Sequence, residues 1–143
     1  MSAATVAAAL GGRRTLKADI ASEFDLDTAA RAGIPATAIA AVADRGLLTL
    51  DELYELVIPR RTLERRRDDA QPLTIVESDR LLRVVRVIVR AADAIGDAEK
   101  AHRWLRTPNR ALRGESPITL LATDIGARLV EQTLGRLEHG VVS

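Results

Sequence analysis

The hydrophobic and polar positions of the chain follow a helical period, and Gly or Pro interrupts them at short intervals. Apolar residues that recur every three or four positions are typical of amphipathic helices. Glycine commonly follows a helix end because it adopts left-handed backbone angles, and proline blocks the continuation of a helix. The pattern predicts an all-α fold with helices over 25–32, 36–45, 50–57, 60–69, 75–95, 97–106, 117–121 and 124–138.

The longest predicted helix follows Thr74 and ends before Gly96. One polar stripe runs along it at spacings of three or four residues, formed by Asp79, Arg83, Arg86, Arg90 and Asp93. Nearly all of its other positions are apolar, as expected for a central helix around which the rest of a protein packs. The apolar arc is also wider than one neighbour would cover, so a homodimer seam is the alternative interpretation.

Two pairs of residues have the spacing of capping boxes, in which each side chain bonds the other residue's backbone N–H. Thr49 with Glu52 is expected to open one helix, and Thr74 with Glu77 is expected to open the longest one. Such pairs fix where a helix begins because they satisfy backbone donors that the first turn leaves unbonded.

Three regions are predicted along the chain: a flexible arm over 1–24, a helix-turn-helix-like region over 25–72, and a C-terminal part over 73–143 that starts with the long helix. The arm has an Ala-rich start followed by a Gly-Gly-Arg-Arg run. Its basic residues, Arg13, Arg14 and Lys17, either add contacts to phosphates or have no role.

The composition supports helices over sheets. Hydrophobic residues make up 47% of the chain but aromatic residues only 2%, whereas sheets draw on aromatic and β-branched side chains. The absence of Cys excludes disulfides and thiol chemistry. The start lacks the features of a secretory signal, and no apolar run is long enough for a membrane span, so a cytoplasmic protein is expected.

The predicted helices 49–57 and 60–69, joined by a tight turn at Ile58-Pro59, have helix-turn-helix proportions. The second helix carries the candidate DNA-binding residues Arg60, Arg61, Thr62, Arg65 and Arg66. Arginine neutralises phosphates and donates two parallel hydrogen bonds to guanine in the major groove. A solvated charged face remains the alternative, and a net charge of +1 predicts that DNA binding needs a dimer presenting two such helices.

No catalytic constellation is present in the sequence. The two histidines, His102 and His139, are far apart and have no carboxylates at metal-ligand spacing. A phosphate-binding Gly-rich loop is also missing. The protein is therefore expected to be a binding protein and no enzyme, with no metal site and no cofactor.

The C-terminal third has three residues with predicted structural roles. Trp104, the sole Trp, is expected to anchor a short helix in the core, and Asn109 to cap a turn. Gly126 costs about 1 kcal/mol within a helix, so another backbone is expected to approach it closely. Ser116 before Pro117, and Thr123, are predicted N-caps. The last helix is expected to bury Ile125, Leu129, Val130, Leu134 and Leu137.

These residues together form a pattern similar to a known family. The series Trp104-Leu105, Pro108-Asn109, Leu112, Gly114, Pro117, Leu120-Leu121, Thr123, Gly126 and Gly140 resembles the toxin-binding domain of the Xre/MbcA/ParS antitoxins. Upstream, Gly46-Leu47, Val57-Ile58-Pro59, Arg61-Thr62-Leu63 and Glu77-Ser78-Asp79 resemble the family's helix-turn-helix region. The resemblance covers roughly residues 25–143.

The resemblance implies a homodimeric antitoxin that binds a RES-type toxin, which degrades NAD or uses it as an ADP-ribose donor. It also implies that the C-terminal end reaches into the NAD pocket of the toxin. The toxin-binding residues expected here are Arg136, His139, Gly140, Val141, Val142 and Ser143. Repression of the protein's own operon is implied as a second activity. The alternative is a stand-alone helix-turn-helix regulator whose C-terminal domain only dimerises it.

Overall fold

The structure is a computed structural model that describes residues 1–140, and within them it holds nine α-helices and no strand. The helices are α1 (Ala3–Ala9), α2 (Gly12–Leu16), α3 (Glu23–Ala32), α4 (Thr37–Asp44), α5 (Leu50–Leu56), α6 (Arg60–Asp68), α7 (Ile75–Ile95), α8 (Ala98–Leu105) and α9 (Asp124–Glu138). Two 3-10 segments, Arg110–Leu112 and Pro117–Ala122, lie between α8 and α9. The prediction of an all-α fold is confirmed.

The chain divides into two compact units, Met1–Val85 and Arg86–Ser143. The division falls inside α7, whereas the sequence placed a boundary between residues 72 and 73, just before this helix. Helices α1 to α6 belong to the first unit, and α8, the 3-10 segments and α9 belong to the second.

The first 24 residues differ from the predicted flexible arm, because they fold into α1 and α2. Ser2 caps α1 by accepting the Thr5 N–H at 3.2 Å, and Gly11 makes the turn to α2 with a positive φ of 104°. The apolar face of α1 is buried at Val6 and Leu10. Alanine has the highest helix propensity of the amino acids, and its small side chain allows close packing. The Ala-rich start of the chain therefore favours a helix and does not indicate flexibility.

The capping boxes that open α5 and α7 are confirmed. Thr49 and Glu52 bond each other's backbone N–H at 2.9 and 3.1 Å, and Thr74 and Glu77 do the same at 2.9 and 3.1 Å. A third box, Ser22 with Asp25, starts α3 two residues before the predicted position. The carboxylate of Asp25 accepts hydrogen bonds from the backbone N–H groups of Ala21 and Ser22. These bonds hold the pKa of the Asp25 carboxyl below its ordinary value.

Helix α7 has the apolar girth and the polar stripe that the sequence predicts. Its apolar residues are buried within the single chain at Leu81, Leu82, Val84, Val85, Val87, Ile88, Val89 and Ala91. The stripe is half-buried or exposed at Asp79, Arg83, Arg86, Arg90 and Asp93. The chain therefore covers these apolar positions by itself, which supports the core interpretation of α7 over the dimer seam.

The turn after α3 is fastened to α7 by a buried polar contact that the sequence did not indicate. The Ile34 N–H donates to the Ser78 Oγ at 2.9 Å, and both residues are buried. The Leu73 N–H in turn donates to the Ile34 carbonyl at 2.9 Å. These two bonds satisfy backbone groups that would be costly to bury unpaired, and they fix the start of α7 in the first unit.

The caps and turns of the second unit match the predictions in part. Asn109 caps the turn as expected, because its Oδ1 accepts the Ala111 N–H at 2.9 Å, and Thr123 caps α9 through the Gly126 N–H at 2.9 Å. Ser116 takes the N-cap position before Pro117 as predicted, but its side chain makes no cap bond to the 3-10 segment that follows. Trp104 is half-buried, and the fully buried anchor of α8 is its neighbour Leu105.

Gly126 lies where the backbone of the preceding 3-10 segment meets the first turn of α9. A Cβ at this position would collide with the carbonyl oxygen of Leu120 and would lie 2.9 Å from its carbonyl carbon. The expected close approach of another backbone is confirmed. A glycine is required at this position because there is no room for a Cβ atom. The backbone conformation does not require it, since the φ of Gly126 is not positive.

The buried side of α9 is only partly as predicted. Val130 and Leu134 are fully buried and Leu137 is half-buried, but Ile125 is 73% exposed and Leu129 is 44% exposed. Val130 lies five positions after Ile125, which turns their side chains about 140° apart around the helix. The expectation that these five residues share one buried side is therefore corrected.

The buried side of α9 uses small residues instead, namely Gly126, Ala127 and Thr133. The Thr133 hydroxyl donates to the Leu129 carbonyl at 3.0 Å. This local bond lets a polar side chain occupy a fully buried position, because its donor is satisfied within the helix.

Candidate functional site

Helices α5 and α6 form a helix-turn-helix with a rigid turn. Val57 and Ile58, between the two helices, are buried, and the Ile58 N–H donates to the Leu53 carbonyl at 3.1 Å. Pro59 then takes the N-cap position of α6 with a φ of −58°, which it can hold without strain. The buried turn fixes the angle between the helices, and with it the direction in which α6 presents its side chains.

The outer face of α6 carries two arginines with no partner among the described residues. Leu63 is buried, and Arg61 and Arg65 lie two residues before and after it, about 200° around the helix. Both arginines therefore point away from the core, and both are exposed. Arg60 is also exposed but forms an ion pair with Glu64 at 3.1 Å, and Thr62 is half-buried at the edge of this face.

Arg66 takes a different position from the other predicted DNA-binding residues. Its Nε and one terminal nitrogen donate to the two carboxylate oxygens of Glu77, each at 3.2 Å. The side chains are 21% and 11% exposed, so this fork-shaped pair is largely shielded from water. Arg66 thereby fastens α6 to the start of α7, a contact across 11 residues that the sequence analysis did not find.

Glu77 is held in its charged form at this contact. Burial raises the pKa of its carboxyl, but the Thr74 N–H and the Arg66 guanidinium outweigh burial and keep that pKa below the ordinary value of 4.5. A carboxyl whose pKa is lower in the folded state than in the unfolded state stabilises the fold at any pH above its unfolded-state pKa. This stabilisation is lost as the pH falls through the folded-state pKa.

We therefore expect Glu77→Gln to lower the free energy of unfolding at pH 7 by about 2 kcal/mol, since a charged hydrogen bond is lost. The difference between variant and wild type shrinks as the pH falls below the ordinary value of 4.5, because the unfolded chain takes up a proton at this carboxyl before the folded chain does. Urea unfolding at pH 7 and at low pH measures both effects. Glu64→Gln, in the exposed pair with Arg60, is the matched control and changes stability by less than about 0.5 kcal/mol. A gap that stays constant with pH would contradict this assignment.

The second candidate site is the end of α9. His139 ends this helix and is exposed, and Gly140 follows it with a positive φ of 71°. The Arg136 guanidinium donates to the Thr133 Oγ at 3.1 Å, so Arg136 is half-buried against its own helix. Val141, Val142 and Ser143, which complete the predicted toxin-binding segment, lie outside the described residues.

An ion pair fastens the end of α9 within the second unit. The Arg90 Nε donates to the Glu138 Oε1 at 3.2 Å, and the two side chains are 33% and 40% exposed. The sequence placed Arg90 on the polar stripe but gave no sign of this partner, which is 48 residues away. The last described residues are thus held close to the C-terminal end of α7.

An apolar patch that the sequence analysis missed lies on the exposed face of α9, away from the side that the helix buries. It consists of Ile125 and Leu129, one helical turn apart, beside the exposed ion pair of Asp124 and Arg128 at 3.1 Å. Exposed apolar side chains that adjoin one another are candidates for a contact with another macromolecule. The signal was present in the sequence, since five apolar positions in α9 span too wide an arc for one buried side.

The described residues hold no cluster of three or more His, Cys, Asp or Glu that would suit a metal ion. Both histidines are exposed, His102 on α8 and His139 at the end of α9. Among residues 1–140, no helix is long and apolar enough to cross a membrane.

Two family models match the chain, and together they cover both candidate sites. Residues 25–86 match the model described as the antitoxin Xre-like helix-turn-helix domain. Residues 90–140 match the model described as the antitoxin Xre/MbcA/ParS C-terminal toxin-binding domain. The first match contains α5 and α6, and the second contains α8 and α9.

Curated relatives carry names that agree with these matches. The chain is 38% identical over 122 residues to antitoxin Xre of Pseudomonas putida, which covers 85% of this chain and 76% of the relative. It is 47% identical over 87 residues to antitoxin Xre of Yersinia enterocolitica, covering 60% and 59%. A protein of Sphingobium named Prs ADP-ribosylating antitoxin is 28% identical over 88 residues, covering 55% of each.

Proposed function

Since the chain belongs to the Xre/MbcA/ParS family of antitoxins, we propose that it neutralises a RES-type toxin by occluding the NAD pocket of that toxin. Members of this family are toxin-neutralising proteins with no enzymatic role. The match of residues 90–140 to the toxin-binding domain carries the proposal, because it assigns the whole of α9 to that domain.

The choice of a toxin that consumes NAD is supported by the name of one relative. The name of the Sphingobium protein joins an antitoxin to ADP-ribosylation, a reaction that draws ADP-ribose from NAD. The mechanism proposed here is steric, since a neutralising protein needs only to fill the cleft in which the dinucleotide would lie. We place the antitoxin in the cytoplasm, because the NAD used by the toxin and the DNA bound by the antitoxin are both found there.

We place the contact with the toxin on two parts of α9. The Ile125 and Leu129 patch supplies apolar area, which is the main source of affinity in protein interfaces. The end of the helix, from Arg136 through His139 and Gly140 to Val141, Val142 and Ser143, supplies the segment that enters the pocket.

Truncation after Leu137 tests the pocket-occluding segment. The shortened chain is expected to bind the RES-type protein encoded beside its own gene, because the apolar patch is intact. It is expected to inhibit NAD consumption at least about tenfold less well, which corresponds to about 1.4 kcal/mol of binding free energy. Titration of toxin activity and of toxin binding measures the two effects separately.

The truncation also removes Glu138 and its ion pair with Arg90, so Glu138→Gln in the full-length chain is the control. This variant is expected to inhibit the toxin as the wild type does, since a half-exposed pair contributes little. Full inhibition by the truncated chain would disprove pocket occlusion. A neighbouring gene that encodes no RES-type protein would disprove the choice of toxin and favour a stand-alone regulator.

We further propose that α6 binds the DNA of the protein's own operon, as a homodimer. The match of residues 25–86 to an Xre-like helix-turn-helix domain supports this activity, and the outward arginines Arg61 and Arg65 supply its chemistry. Arg60 and Thr62 adjoin them, whereas Arg66 holds the helix in place through Glu77. A net charge of +1 gives one chain little attraction for DNA, so two copies of α6 on adjacent half-sites are expected.

A further inference from the structure

A cleft of about 840 Å³ in the first unit is lined on one side by α2 and on the other by the end of α6. Four of its lining residues are cationic, Arg14 and Lys17 from α2 and Arg66 and Arg67 from α6. None of the described residues that line it is acidic. Because Glu77 already balances the charge of Arg66, the net positive charge of the cleft comes from Arg14, Lys17 and Arg67, and this charge attracts anions.

The cations of the cleft differ in how firmly they are held. Arg66 is fixed by Glu77, so its position does not depend on a ligand. The side chains of Arg14, Lys17 and Arg67 are exposed and make no hydrogen bond or ion pair within residues 1–140. Their neighbour Arg13 does have a partner, because it pairs with Asp19 at 3.4 Å.

We propose that this cleft binds the phosphate backbone of the DNA that α6 contacts, so that α2 extends the DNA-binding surface beyond the helix-turn-helix. The inference rests on the proposed DNA binding by α6. It assigns a role to a segment before residue 25, where the match to the helix-turn-helix model begins.

The cleft lies close to the outward arginines of α6. Arg67 is six positions after Arg61, which corresponds to a rise of about 9 Å along the helix and a turn of about 120° around it. Duplex DNA presents about five phosphate charges over the same distance of its own axis. The cleft therefore borders the flank of the arginine face within the length of one DNA segment, and Arg14 and Lys17 add charge from α2.

Phosphates are favoured over an acidic protein face because the cleft adjoins the end of α6, the helix that carries the candidate DNA-binding arginines, and its exposed cations are separated from one another. Its uncharged lining is Pro35, Pro72, Gln71, three alanines and two threonines. Phosphate contacts from Lys and Arg position a DNA-binding protein without reading the sequence. The proposed contribution is therefore the same for operator and for random DNA.

The double variant Arg14→Gln, Lys17→Gln tests the proposal in the full-length chain. The probes are a labelled duplex from the region upstream of the protein's own gene and a random duplex of equal length. Loss of two phosphate contacts in each copy of the dimer is expected to reduce the slope of log affinity against log salt by about 3.6 for both probes. Between about 50 and 200 mM salt, wild-type affinity then falls roughly a hundredfold more than that of the variant.

Arg13→Gln is the matched control, because it removes a charge from the same helix but outside the cleft, and its slope is expected to equal that of the wild type. Thermal unfolding monitored by circular dichroism confirms that the variants fold, which the exposure of all three side chains favours.

The outcomes separate this proposal from the one on which it rests. If the wild type binds the upstream duplex, and Arg61→Ala with Arg65→Ala removes that binding, an unchanged slope in the cleft variant overturns the cleft alone. If the wild type binds neither duplex, DNA binding by α6 and by the cleft both fall. If the cleft variant binds DNA normally but binds the toxin more weakly, the cleft faces the toxin and the proposal is wrong.

Discussion

Replacing Arg61 and Arg65 together by alanine is expected to reduce affinity for the upstream DNA on the order of a thousandfold or more. These two arginines occupy the outward face of α6, opposite the buried Leu63, and no described residue competes for their guanidinium groups. Each bidentate contact to a guanine contributes about 1–3 kcal/mol of discrimination, and the variant loses both positions in each copy of the chain.

A loss of sequence recognition and a loss of charge have different signatures in this experiment. If the arginines read bases, affinity falls much more for the upstream duplex than for random DNA. If they contact only phosphates, both probes weaken alike and the salt slope of the dimer drops by about 3.6, since four contacts are lost. Fluorescence anisotropy over a range of salt concentrations distinguishes the two.

The matched control removes two other exposed arginines, with Arg31→Ala and Arg128→Ala. Each forms an exposed ion pair on a different helix, Arg31 with Asp27 and Arg128 with Asp124. The control variant has the same net charge as the test variant, so a comparable loss of affinity would show that total charge matters and α6 does not. Toxin binding by the Arg61 and Arg65 variant should stay at the wild-type level, since both residues lie outside 90–140.

The local features of the fold were predictable because they depend on residues close in sequence. The capping boxes at Thr49 and Thr74 and the turn at Asn109 each join groups that are two or three residues apart. Gly126 was also predictable in kind, since a glycine within a helix has a cost that some close approach must offset. These signals place helix starts and turns to within one or two residues.

The contacts that orient the candidate sites were not predictable, because they join residues far apart in sequence. The pairs Arg66 with Glu77 and Arg90 with Glu138 span 11 and 48 residues. From the sequence, each of these arginines resembled any other arginine on a charged helix face. The same holds for the cleft, whose walls come from α2 and the end of α6.

The errors in α1 and α9 have a shared physical origin in side-chain size. Small residues form the packed side of both helices, Ala3 and Ala7 in α1 and Gly126 and Ala127 in α9. Such residues carry little hydrophobic signal, although they allow close packing. The large apolar residues Ile125 and Leu129 were therefore assigned to the core, where small residues already fill the buried side. Their exposure places apolar area on the surface of the toxin-binding domain.

Gly126→Ala is expected to destabilise the second unit by about 3 kcal/mol, because the new Cβ would overlap the carbonyl oxygen of Leu120. A backbone carbonyl cannot turn aside as a flexible side chain does, so the 3-10 segment must move away from α9. For a unit of this size the melting temperature is expected to fall by roughly 10 °C or more. Differential scanning calorimetry of the full-length chain measures the change.

Gly135→Ala in the same helix is the matched control, and its expected effect has the opposite sign. The atom nearest to its Cβ is the end of the Arg90 side chain at 3.5 Å, an ordinary contact distance. Alanine in place of a helical glycine stabilises by up to about 1 kcal/mol, so this variant should melt at a higher temperature than the wild type. Comparison of the Gly126→Ala and Gly135→Ala variants thus separates the general cost of a glycine in a helix from the specific requirement for glycine at residue 126.

Gly126→Ala should weaken the inhibition of the toxin and leave the affinity for DNA unchanged. Residue 126 lies in the toxin-binding match and in the second unit, whereas α6 and the cleft lie in the first. Inhibition of the toxin is therefore expected to weaken at temperatures where the second unit begins to unfold, while DNA affinity at low temperature stays unchanged. If DNA binding and toxin inhibition were lost together in parallel with a single melting transition, the two units would unfold as one, and the assignment of separate activities to separately folded units would be wrong.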